Sequence, residues 1–318
     1  MQELLSYKLL FVTGKGGVGK TTVAAAIALL ASDQGLRTLV CEAEPKGDLA
    51  RAYECGPTPF SGRRISDRLV AMSMDTEASL REYLRVVARV PTVGHVGPVA
   101  RAFDFVATAA PGIREILTVG KLCFEVREGH YDLVVVDASS TGSVVGQLAA
   151  PTGINELIRV GLVRSQTDWI LEILGDPVRT GAVLVSTPEE MPVTEAIDLA
   201  GRLAKETPVH LAGVVANRVL PELFGRSEEQ VFNELSRPAM RDLLVSELES
   251  SRELVEDVLD AARLAVTVRR DGVFHLERLR AEIAPEVPLL YLPYLFARAH
   301  GLRAVRQVAR ALSEELLT

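Results

Sequence analysis

The sequence predicts an α/β protein built on a doubly wound, mostly parallel β-sheet with helical insertions. Short apolar runs typical of buried strands recur along the chain and alternate with helical patterns. The first run, residues 9–12, passes through a glycine-rich loop into an alanine-rich helix former at 22–31. Acidic residues follow the runs at 38–41 and 133–136. Acids in that position are expected where a doubly wound sheet binds its ligand.

Composition and charge restrict the class of protein. The chain has 318 residues, of which 48% are hydrophobic, a size that suits one large domain or two modest ones. We expect a single domain over 1–318, with a helical insertion layer at 76–130 and 144–178 and a mostly helical region of unknown role at 221–285. The net charge of −7 argues against a general nucleic-acid-binding surface, so no nucleic-acid partner is expected.

The cysteines and the apolar segments exclude further classes. Cys41, Cys55 and Cys123 are far apart and form no C-x-x-C pair, so neither a structural zinc site nor a disulfide framework is expected. The segment before the glycine-rich loop is too short for a secretory signal. No apolar run approaches the roughly 20 residues needed to span a bilayer. We therefore expect a cytoplasmic protein.

The glycine-rich loop carries a complete phosphate-binding motif, G-x-x-x-x-G-K-[ST]. It reads Gly14-Lys15-Gly16-Gly17-Val18-Gly19-Lys20-Thr21-Thr22 and lies between a strand and a helix. Glycines let several backbone N–H groups point at one anion, and the helix start adds its own unpaired N–H groups. Lys20 is placed to reach the outer phosphates, and the Thr21 hydroxyl is placed to bind Mg²⁺. The alternative is an ordinary glycine turn.

Lys15, a second lysine directly after the first glycine, narrows the motif to K-G-G-x-G-K-[ST]. On these residues the chain resembles the P-loop ATPases of the deviant Walker A class. That class includes the arsenite-pump ATPase, the tail-anchored-protein targeting ATPase, ParA and MinD, and the nitrogenase iron protein. The resemblance implies ATP as the nucleotide and a dimer in which Lys15 reaches phosphates bound by the other subunit. The alternative is a solvated loop cation.

Two acids, Glu42 and Glu44, end the second strand and precede Pro45. In the family this stretch is switch I, which reads D-x-D-P-Q-G-N or T-D-P-A-H. Glu44 takes the place of the aspartate that orients the attacking water. Its extra methylene moves the carboxylate by more than about an ångström, a displacement large enough to affect phosphoryl transfer. Slow hydrolysis or a sensor role therefore stays open. The alternative is that both glutamates are surface acids near a loop.

Two later stretches favour the branch that contains the arsenite-pump and tail-anchor ATPases. Asp75 and Glu82 match its A-M-x-I-D-P…E-Y stretch, and residues 111–115 resemble its P-G-I-D-E, which begins a helix of an enlarged helical subdomain. Residues 99–106 carry apolar side chains on one face of such a helix. We interpret that face either as a groove for a hydrophobic client helix or, with preference, as ordinary core packing.

The run at residues 131–137 is a buried strand that ends in Asp137, which is the Walker B pattern. A carboxylate there is expected to hold Mg²⁺. The Thr141-Gly142 pair matches the branch sequence D-T-A-P-T-G-H, in which Ser143 replaces the histidine. The resemblance makes this segment switch II, with the N–H of Gly142 at the γ-phosphate. The alternative for Asp137 is an ordinary acid at the end of a strand.

The C-terminal half carries two residues that the resemblance places near adenine. Asn217 ends a predicted strand, and an amide offers a donor and an acceptor to a base edge. Its alternative role is that of a turn former. Pro293 lies in an L-P-Y-L…G-L stretch, similar to the family's adenine-side loop. Residues 187–196 also match the family's T-P-E-x-x-P-x-x-E-A. The Asp271-Gly272 pair predicts a hairpin turn.

Together these features imply an ATP-binding, Mg²⁺-dependent ATPase that acts as a nucleotide-gated dimer on a protein or membrane-associated client, such as a hydrophobic helix. The dimer is either a homodimer or a heterodimer with a related ATPase subunit. The main alternative is a weakly active nucleotide-binding subunit of such a heterodimer. A ParA- or MinD-like positioning ATPase is less favoured because of the acidic charge and the insertion. The scattered cysteines supply no obvious thiolate site for arsenite.

Overall fold

The computed structural model describes residues 2–86, 112–157, 162–222, 224–296 and 300–317. The predicted apolar face at 99–106 lies outside these ranges.

The sheet consists of β1 (Leu9–Gly14), β2 (Thr38–Glu42), β3 (Arg63–Arg64), β4 (Leu69–Ser73), β5 (Leu133–Ser140), β6 (Thr180–Ser186), β7 (Leu211–Val219) and β8 (Leu289–Pro293). The α-helices of the described ranges are α1 (Lys20–Asp33), α2 (Asp48–Ala52), α3 (Thr76–Val86), α4 (Ile113–Arg127), α5 (Thr141–Leu157), α6 (Leu162–Leu174), α7 (Glu190–Glu206), α8 (Arg226–Leu235), α9 (Pro238–Glu247), α10 (Arg252–Glu282) and α11 (Gly301–Glu315).

The strands form one sheet in the order β3-β4-β2-β5-β1-β6-β7-β8. Every pair is parallel except β3 with β4. The chain leaves β1 toward β2 on one side and later reaches β6 on the other, so β1 lies at the switch point of the sheet. Ligands bind at such a point in open α/β sheets. The predicted fold class is confirmed.

Helices cover both faces of the sheet, which explains why the central strands are apolar along their whole length. Successive strand side chains point to opposite faces. Leu10 and Val12 therefore join the core beneath α1 and α11, whereas Leu9 and Phe11 join the core beneath α4, α5, α6 and α7. All four side chains are fully buried. The two cores fix the carboxyl ends of β1, β5 and β6 next to one another.

Helices α3 to α6 pack side by side on one face of the sheet, with α4 contacting α3, α5 and α6. Helices α3, α4 and α6 fall within the stretches predicted to be helical, 76–130 and 144–178, whereas α5 begins at Thr141, three residues before the second stretch. Their status as an insertion layer stays a prediction. None of the helices in the described ranges is both long and apolar enough to cross a bilayer.

The hairpin turn predicted at Asp271-Gly272 is wrong, because both residues lie inside the 31-residue helix α10. Gly272 is buried, and a Cβ atom there would lie 3.4 Å from the Cβ atom of Pro188. A Cβ atom would make ordinary contact there, so Gly272 lies buried against the segment that follows β6 without the packing demanding glycine. Residues 51–67 contain the end of α2 and the short antiparallel strand β3.

Candidate functional site

The glycine-rich loop joins β1 to α1 at the carboxyl edge of the sheet. Gly14 ends β1 with a φ of 146°, and a Cβ atom there would lie 2.1 Å from the carbonyl oxygen of Val185 in β6. No residue with a side chain fits at this close approach. A Cβ atom at Gly16 or Gly17 would meet nothing within 4 Å. The loop backbone therefore faces open space, as an anion-binding loop requires.

The first turn of α1 carries no acidic residue of its own and no side-chain cap. Its N-cap residue, Gly19, offers no side chain. The first N–H groups of a helix have no partner within the helix and carry the positive end of its dipole. Because α1 begins at Lys20, directly after the loop, these groups and the loop amides are suited to bind the same phosphate chain.

Thr21 and Asp137 lie together beside this loop. Thr21 Oγ1 donates a hydrogen bond to Asp137 Oδ2 over 2.6 Å. The other carboxylate oxygen, Oδ1, is buried and has no hydrogen-bond partner among the described residues. Burial raises the pKa of Asp137 to about 6, against the lowering effects of Thr21 and Lys20. Burying a carboxylate oxygen costs free energy unless a cation or a hydrogen-bond donor contacts it.

This pair of oxygens fits Mg²⁺. The described residues contain no group of three or more His, Cys, Asp or Glu side chains that could form a complete metal cage. Mg²⁺ needs none, since it is usually bound through one or two protein oxygens together with phosphate and water oxygens. Asp137 and Thr21 would hold the ion, which would supply positive charge beside the phosphates. The sequence paired the same two residues with Mg²⁺.

Lys20 stands half-buried at the end of the loop. Its Nζ donates to the carbonyl oxygen of Lys15 over 3.1 Å. Burial lowers the pKa of Lys20, while the nearby carboxylate of Asp137 acts to raise it. The Lys20 ammonium group is thus held at the loop itself, where a phosphate bound by the amides would lie.

Lys15 is bound within its own chain. Its Nζ lies 2.6 Å from Oε1 of Glu195, in α7. The other carboxylate oxygen, Oε2, accepts a hydrogen bond from Thr141 Oγ1 over 3.1 Å. The bond from Lys15 is the main reason that the pKa of Glu195 is lowered. One carboxylate therefore links the P-loop to the first residue of α5, which is the predicted switch II.

Sequence reasoning gave Glu195 no role. Glu195 is the second-last residue of the T-P-E-x-x-P-x-x-E-A match, so that motif was the available signal. Its importance emerges only when α7 and α5 are seen to meet beside the P-loop.

Glu42 is not a surface acid, so that alternative is wrong for this residue. It is only 2% exposed. Its carboxylate accepts the backbone N–H groups of residues 46, 47 and 48 over 3.2, 3.2 and 2.8 Å, and the hydroxyl of Ser73 over 2.9 Å. Four hydrogen bonds to one buried carboxylate fix the loop between β2 and α2. Glu42 therefore has a structural role that the sequence did not reveal.

Glu44, two residues further on, is in a different environment. Its side chain is 42% exposed, and Oε2 lies 2.6 Å from Nζ of Lys46. The carboxylate is near enough to Lys20 to act on the pKa of that lysine. Glu44 thus borders the P-loop, while its charge is paired with a neighbour in the same loop.

Asn217 reaches the P-loop from β7. Its Nδ2 donates to the carbonyl oxygen of Val18 over 2.8 Å, and its Oδ1 accepts the N–H of Arg218. A Cβ atom at Gly19 would lie 2.5 Å from Nδ2 of Asn217, and Gly19 also has a φ of 96°. Both facts require glycine at position 19. The structure thus shows Asn217 supporting the loop that precedes α1.

The remaining predicted site residues lie around the same edge. Thr22 is half-buried in the first turn of α1. Gly142 is the second residue of α5, and a Cβ atom there would meet nothing within 4 Å. Pro293 ends β8 and pairs with Val219 of β7, two residues beyond Asn217.

The model of the anion-transporting ATPase family matches residues 7–167, just over half of the chain. The chain belongs to this family. The predicted family is confirmed, and the chain is a nucleotide-binding ATPase. The matched range contains the P-loop and Asp137, whereas Glu195, Asn217 and Pro293 lie beyond it.

Two of three similar proteins match more of the chain than the family model does. ATPase BagA of Mycobacterium tuberculosis is 28% identical over 313 residues, which cover 92% of this chain and 87% of that protein. A putative arsenical pump-driving ATPase of Halobacterium salinarum is 28% identical over 296 residues, covering 86% and 43%. ATPase get3 of Schizosaccharomyces japonicus is 32% identical over 154 residues, covering 47% and 46%.

Proposed function

We propose that this ATPase binds ATP·Mg²⁺ at the P-loop and hydrolyses it as a nucleotide-gated dimer that acts on a protein or membrane-associated client. The observation that supports the dimer is that Glu195 binds two residues with one carboxylate. One is Lys15, the lysine that contacts the other subunit in the family that this chain resembles, and the other is Thr141, at the start of the proposed switch II. The two parts that must respond to nucleotide are therefore connected before it binds.

The residues of the nucleotide site have separate roles at the phosphates. The loop amides, Lys20 and Thr22 bind the phosphate chain, and the N–H of Gly142 meets the γ-phosphate. Thr21 and Asp137 hold Mg²⁺. Phosphoryl transfer is accelerated mainly by fixed positive charge around the phosphate oxygens. These groups supply that charge from one side only.

Lys15 supplies charge from the second chain. To do so it exchanges the carboxylate of Glu195 for phosphate oxygens across the interface. The side chains of this ion pair are 30% and 33% exposed, and pairs at exposed sites contribute only about 0.2–1 kcal/mol. Contact with a multiply charged phosphate in an interface that excludes water is stronger, because the effective dielectric constant is lower there. The exchange of Glu195 for phosphate at Lys15 therefore favours dimerisation when ATP is bound.

Glu44 orients the attacking water after its carboxylate leaves Lys46. The ion pair between Glu44 and Lys46 also supports the second candidate function, in which the chain is a weakly active subunit of a heterodimer. The Glu44 side chain is longer than an aspartate and is already paired with Lys46. Both features slow hydrolysis in a chain that works without a partner.

Kinetics of two lysine variants test the proposal. Lys20→Ala is expected to lose ATP binding, since it removes a phosphate ligand in the same chain. Lys15→Ala is expected to keep its ATP affinity within about threefold, because each chain retains its own phosphate ligands, while turnover falls by at least about 100-fold, because the charge supplied by the second chain is lost. Lys205→Ala, at the end of α7, is the matched control. Full turnover by Lys15→Ala contradicts the dimer, whereas wild type that binds ATP without turnover favours the heterodimer.

A further inference from the structure

A cavity opens at the edge of the sheet where the strands begin, opposite the nucleotide site. Its volume is about 550 Å³, within the range of roughly 300–1,000 Å³ that is typical of sites for small molecules. Four basic side chains and two acidic ones line it; they are Lys8, Arg37, Arg127, Arg179, Asp132 and Glu172. None of the described residues that line it belongs to the nucleotide site. The cavity is therefore separate from that site, and its lining carries an excess of positive charge.

The sheet sets four of these charges in a row. Arg37, Asp132, Lys8 and Arg179 each come directly before a strand, and those strands, β2, β5, β1 and β6, are neighbours in that order. Because the strands are parallel, they begin at the same edge, about 4.7–4.9 Å apart. Backbone bonds fix the row, since the N–H of Asp132 donates to the carbonyl oxygen of Arg37 over 2.7 Å and that of Lys8 to the carbonyl oxygen of Arg179 over 2.8 Å. The sheet itself therefore places these charges at the cavity.

Two of the arginines are already neutralised within the chain. Arg37 binds Asp132 through two nitrogen atoms, with Nη2 2.8 Å from Oδ1 and Nε 3.1 Å from Oδ2. The bonds from Arg37 are the main reason that the pKa of Asp132 is lowered. Nε of Arg179 lies 3.1 Å from Oδ2 of Asp176. The capacity of the cavity to bind an anion therefore depends on its other two cations.

Those two cations, Lys8 and Arg127, form no ion pair with any residue that the structure describes, so both charges are available to a ligand. The guanidinium carbon of Arg127 lies 5.0 Å from the ring centre of Trp169. Trp169 is half-buried against the core, and Val126 and Ile173 line the cavity beside it. The cavity thus combines unpaired positive charge with an apolar wall. Sites for small molecules typically have an apolar lining and a few polar groups that fix the orientation of the ligand.

We infer that this cavity binds a small organic anion, whose charged group contacts Lys8 and Arg127 and whose apolar group packs on Trp169. Phosphate esters and carboxylates share this chemistry, since guanidinium and ammonium groups bind the oxygen atoms of both. Glu172 opposes the anion, because it lines the same cavity and also forms no ion pair with a described residue. The inference goes beyond the proposed function, because the anion and the nucleotide occupy opposite edges of the sheet and bind independently.

Fluorescence of Trp169 tests the site directly, because the sequence contains one tryptophan. With phenyl phosphate as the probe, we expect a saturable change in fluorescence and a dissociation constant of about 1 mM or lower. Benzyl alcohol lacks the charge and inorganic phosphate lacks the ring, so each is expected to bind at least about tenfold more weakly. Benzoate carries a carboxylate instead, and the tighter of the two aromatic anions identifies the preferred charged group. Neither a saturable change nor a heat of binding with either anion overturns the inference, as does equal binding of benzyl alcohol.

Substitutions with opposite expected effects test the contacts. Lys8→Ala and Arg127→Ala should each weaken the binding of phenyl phosphate by about tenfold, since each removes one charge-assisted contact. Glu172→Gln should strengthen it by about threefold, because a like charge is removed, and misfolding does not produce a gain of affinity. Arg303→Ala, at an exposed arginine of α11 on the other face of the sheet, is the control and should match wild type. Unchanged affinity in all three lining variants, with circular dichroism showing each to be folded, overturns the inference.

Occupancy of the P-loop separates this cavity from the nucleotide site. Phenyl phosphate should bind with the same affinity, within about twofold, when the chain is saturated with ADP and Mg²⁺. Lys20→Ala should bind phenyl phosphate as wild type does, and Arg127→Ala should keep the ATP turnover of wild type. If ADP abolishes the change in fluorescence, the probe binds at the P-loop and the inference is overturned, while the proposed function stands. A chain that binds phenyl phosphate but not ATP supports the inference and contradicts the proposed function alone.

Discussion

Lys15 and Glu195 lie 180 residues apart in the chain, and their side chains meet with 2.6 Å between Nζ and Oε1. Glu195 also accepts the hydroxyl of Thr141 through its second oxygen. Lys15 and Thr141, the first residue of α5, are therefore held by one carboxylate. Since both side chains of the ion pair are about one-third exposed, the contact is weak enough to be exchanged when phosphate arrives.

Loss of this carboxylate should impair turnover more than binding. In Glu195→Ala, Lys15 and Thr141 lose their common partner, while the P-loop amides and Lys20 remain. We expect the turnover number to fall about tenfold and the ATP dissociation constant to change by less than about threefold. Steady-state kinetics and titration calorimetry measure the two quantities. Glu190→Ala, at the start of the same helix, is the control, and an unchanged turnover number for Glu195→Ala contradicts the positioning role.

Asp137→Asn should separate metal binding from folding. Removing a buried negative charge with an unpaired oxygen is expected to raise the free energy of unfolding by about 1 kcal/mol in metal-free buffer. The variant should lose the rise in melting temperature that Mg²⁺ with ATP gives the wild type, because its amide is a poor Mg²⁺ ligand. Thermal unfolding with and without Mg²⁺ measures both effects. Retention of the Mg²⁺-dependent rise would show that Asp137 does not hold the ion.

Glu42 and Glu44 should contribute differently, Glu42 to the stability of the fold and Glu44 to ATP turnover. Glu42→Gln weakens four hydrogen bonds to a buried carboxylate, so we expect the free energy of unfolding to fall by about 2 kcal/mol. Glu44→Gln changes an exposed side chain and should stay within about 0.5 kcal/mol of wild type, while its ATP turnover falls sharply. Urea unfolding and ATPase assays on both variants measure the contrast. Equal stability losses, or full turnover by Glu44→Gln, would contradict it.

Asn217 is expected to combine support of the loop with recognition of adenine. Asn217→Ala removes the bond to the Val18 carbonyl oxygen, so ATP and GTP should both bind more weakly, by about tenfold for one neutral hydrogen bond. It should also lose the preference for ATP over GTP. Binding titrations with both nucleotides measure these effects. A preference that survives the substitution would leave Asn217 with the structural role alone.

The fold was predictable because its local signals agree with its packing. The apolar runs at β1, β2 and β5 are buried on both faces, and the P-loop lies between strand and helix as its motif demands. The Asp271-Gly272 turn failed because tertiary packing overrode local preference. Gly272 is buried inside α10 where the helix contacts Pro188, and such a tertiary contact has no signature in the neighbouring sequence.

The site was predictable only where a contact is encoded in a motif. Thr21 and Asp137 were paired in advance because two motifs name them, and the structure joins them. The contacts of Glu195 depend on how α7 is placed against α5, which no local pattern specifies. Glu42 was misjudged because its four donors come from a loop and from β4, and charged residues are rarely buried without such partners.

Complementation between two inactive variants tests the nucleotide-gated dimer most directly. Lys15→Ala keeps its own P-loop but cannot act on a neighbour, while Lys20→Ala cannot use its own P-loop but still carries Lys15. If Lys15 acts across the interface, each variant alone is inactive, and a mixture of the two regains Mg²⁺-dependent ATP turnover in one of its two sites. A mixture as inactive as its components, or an active Lys15→Ala chain alone, would contradict the proposal.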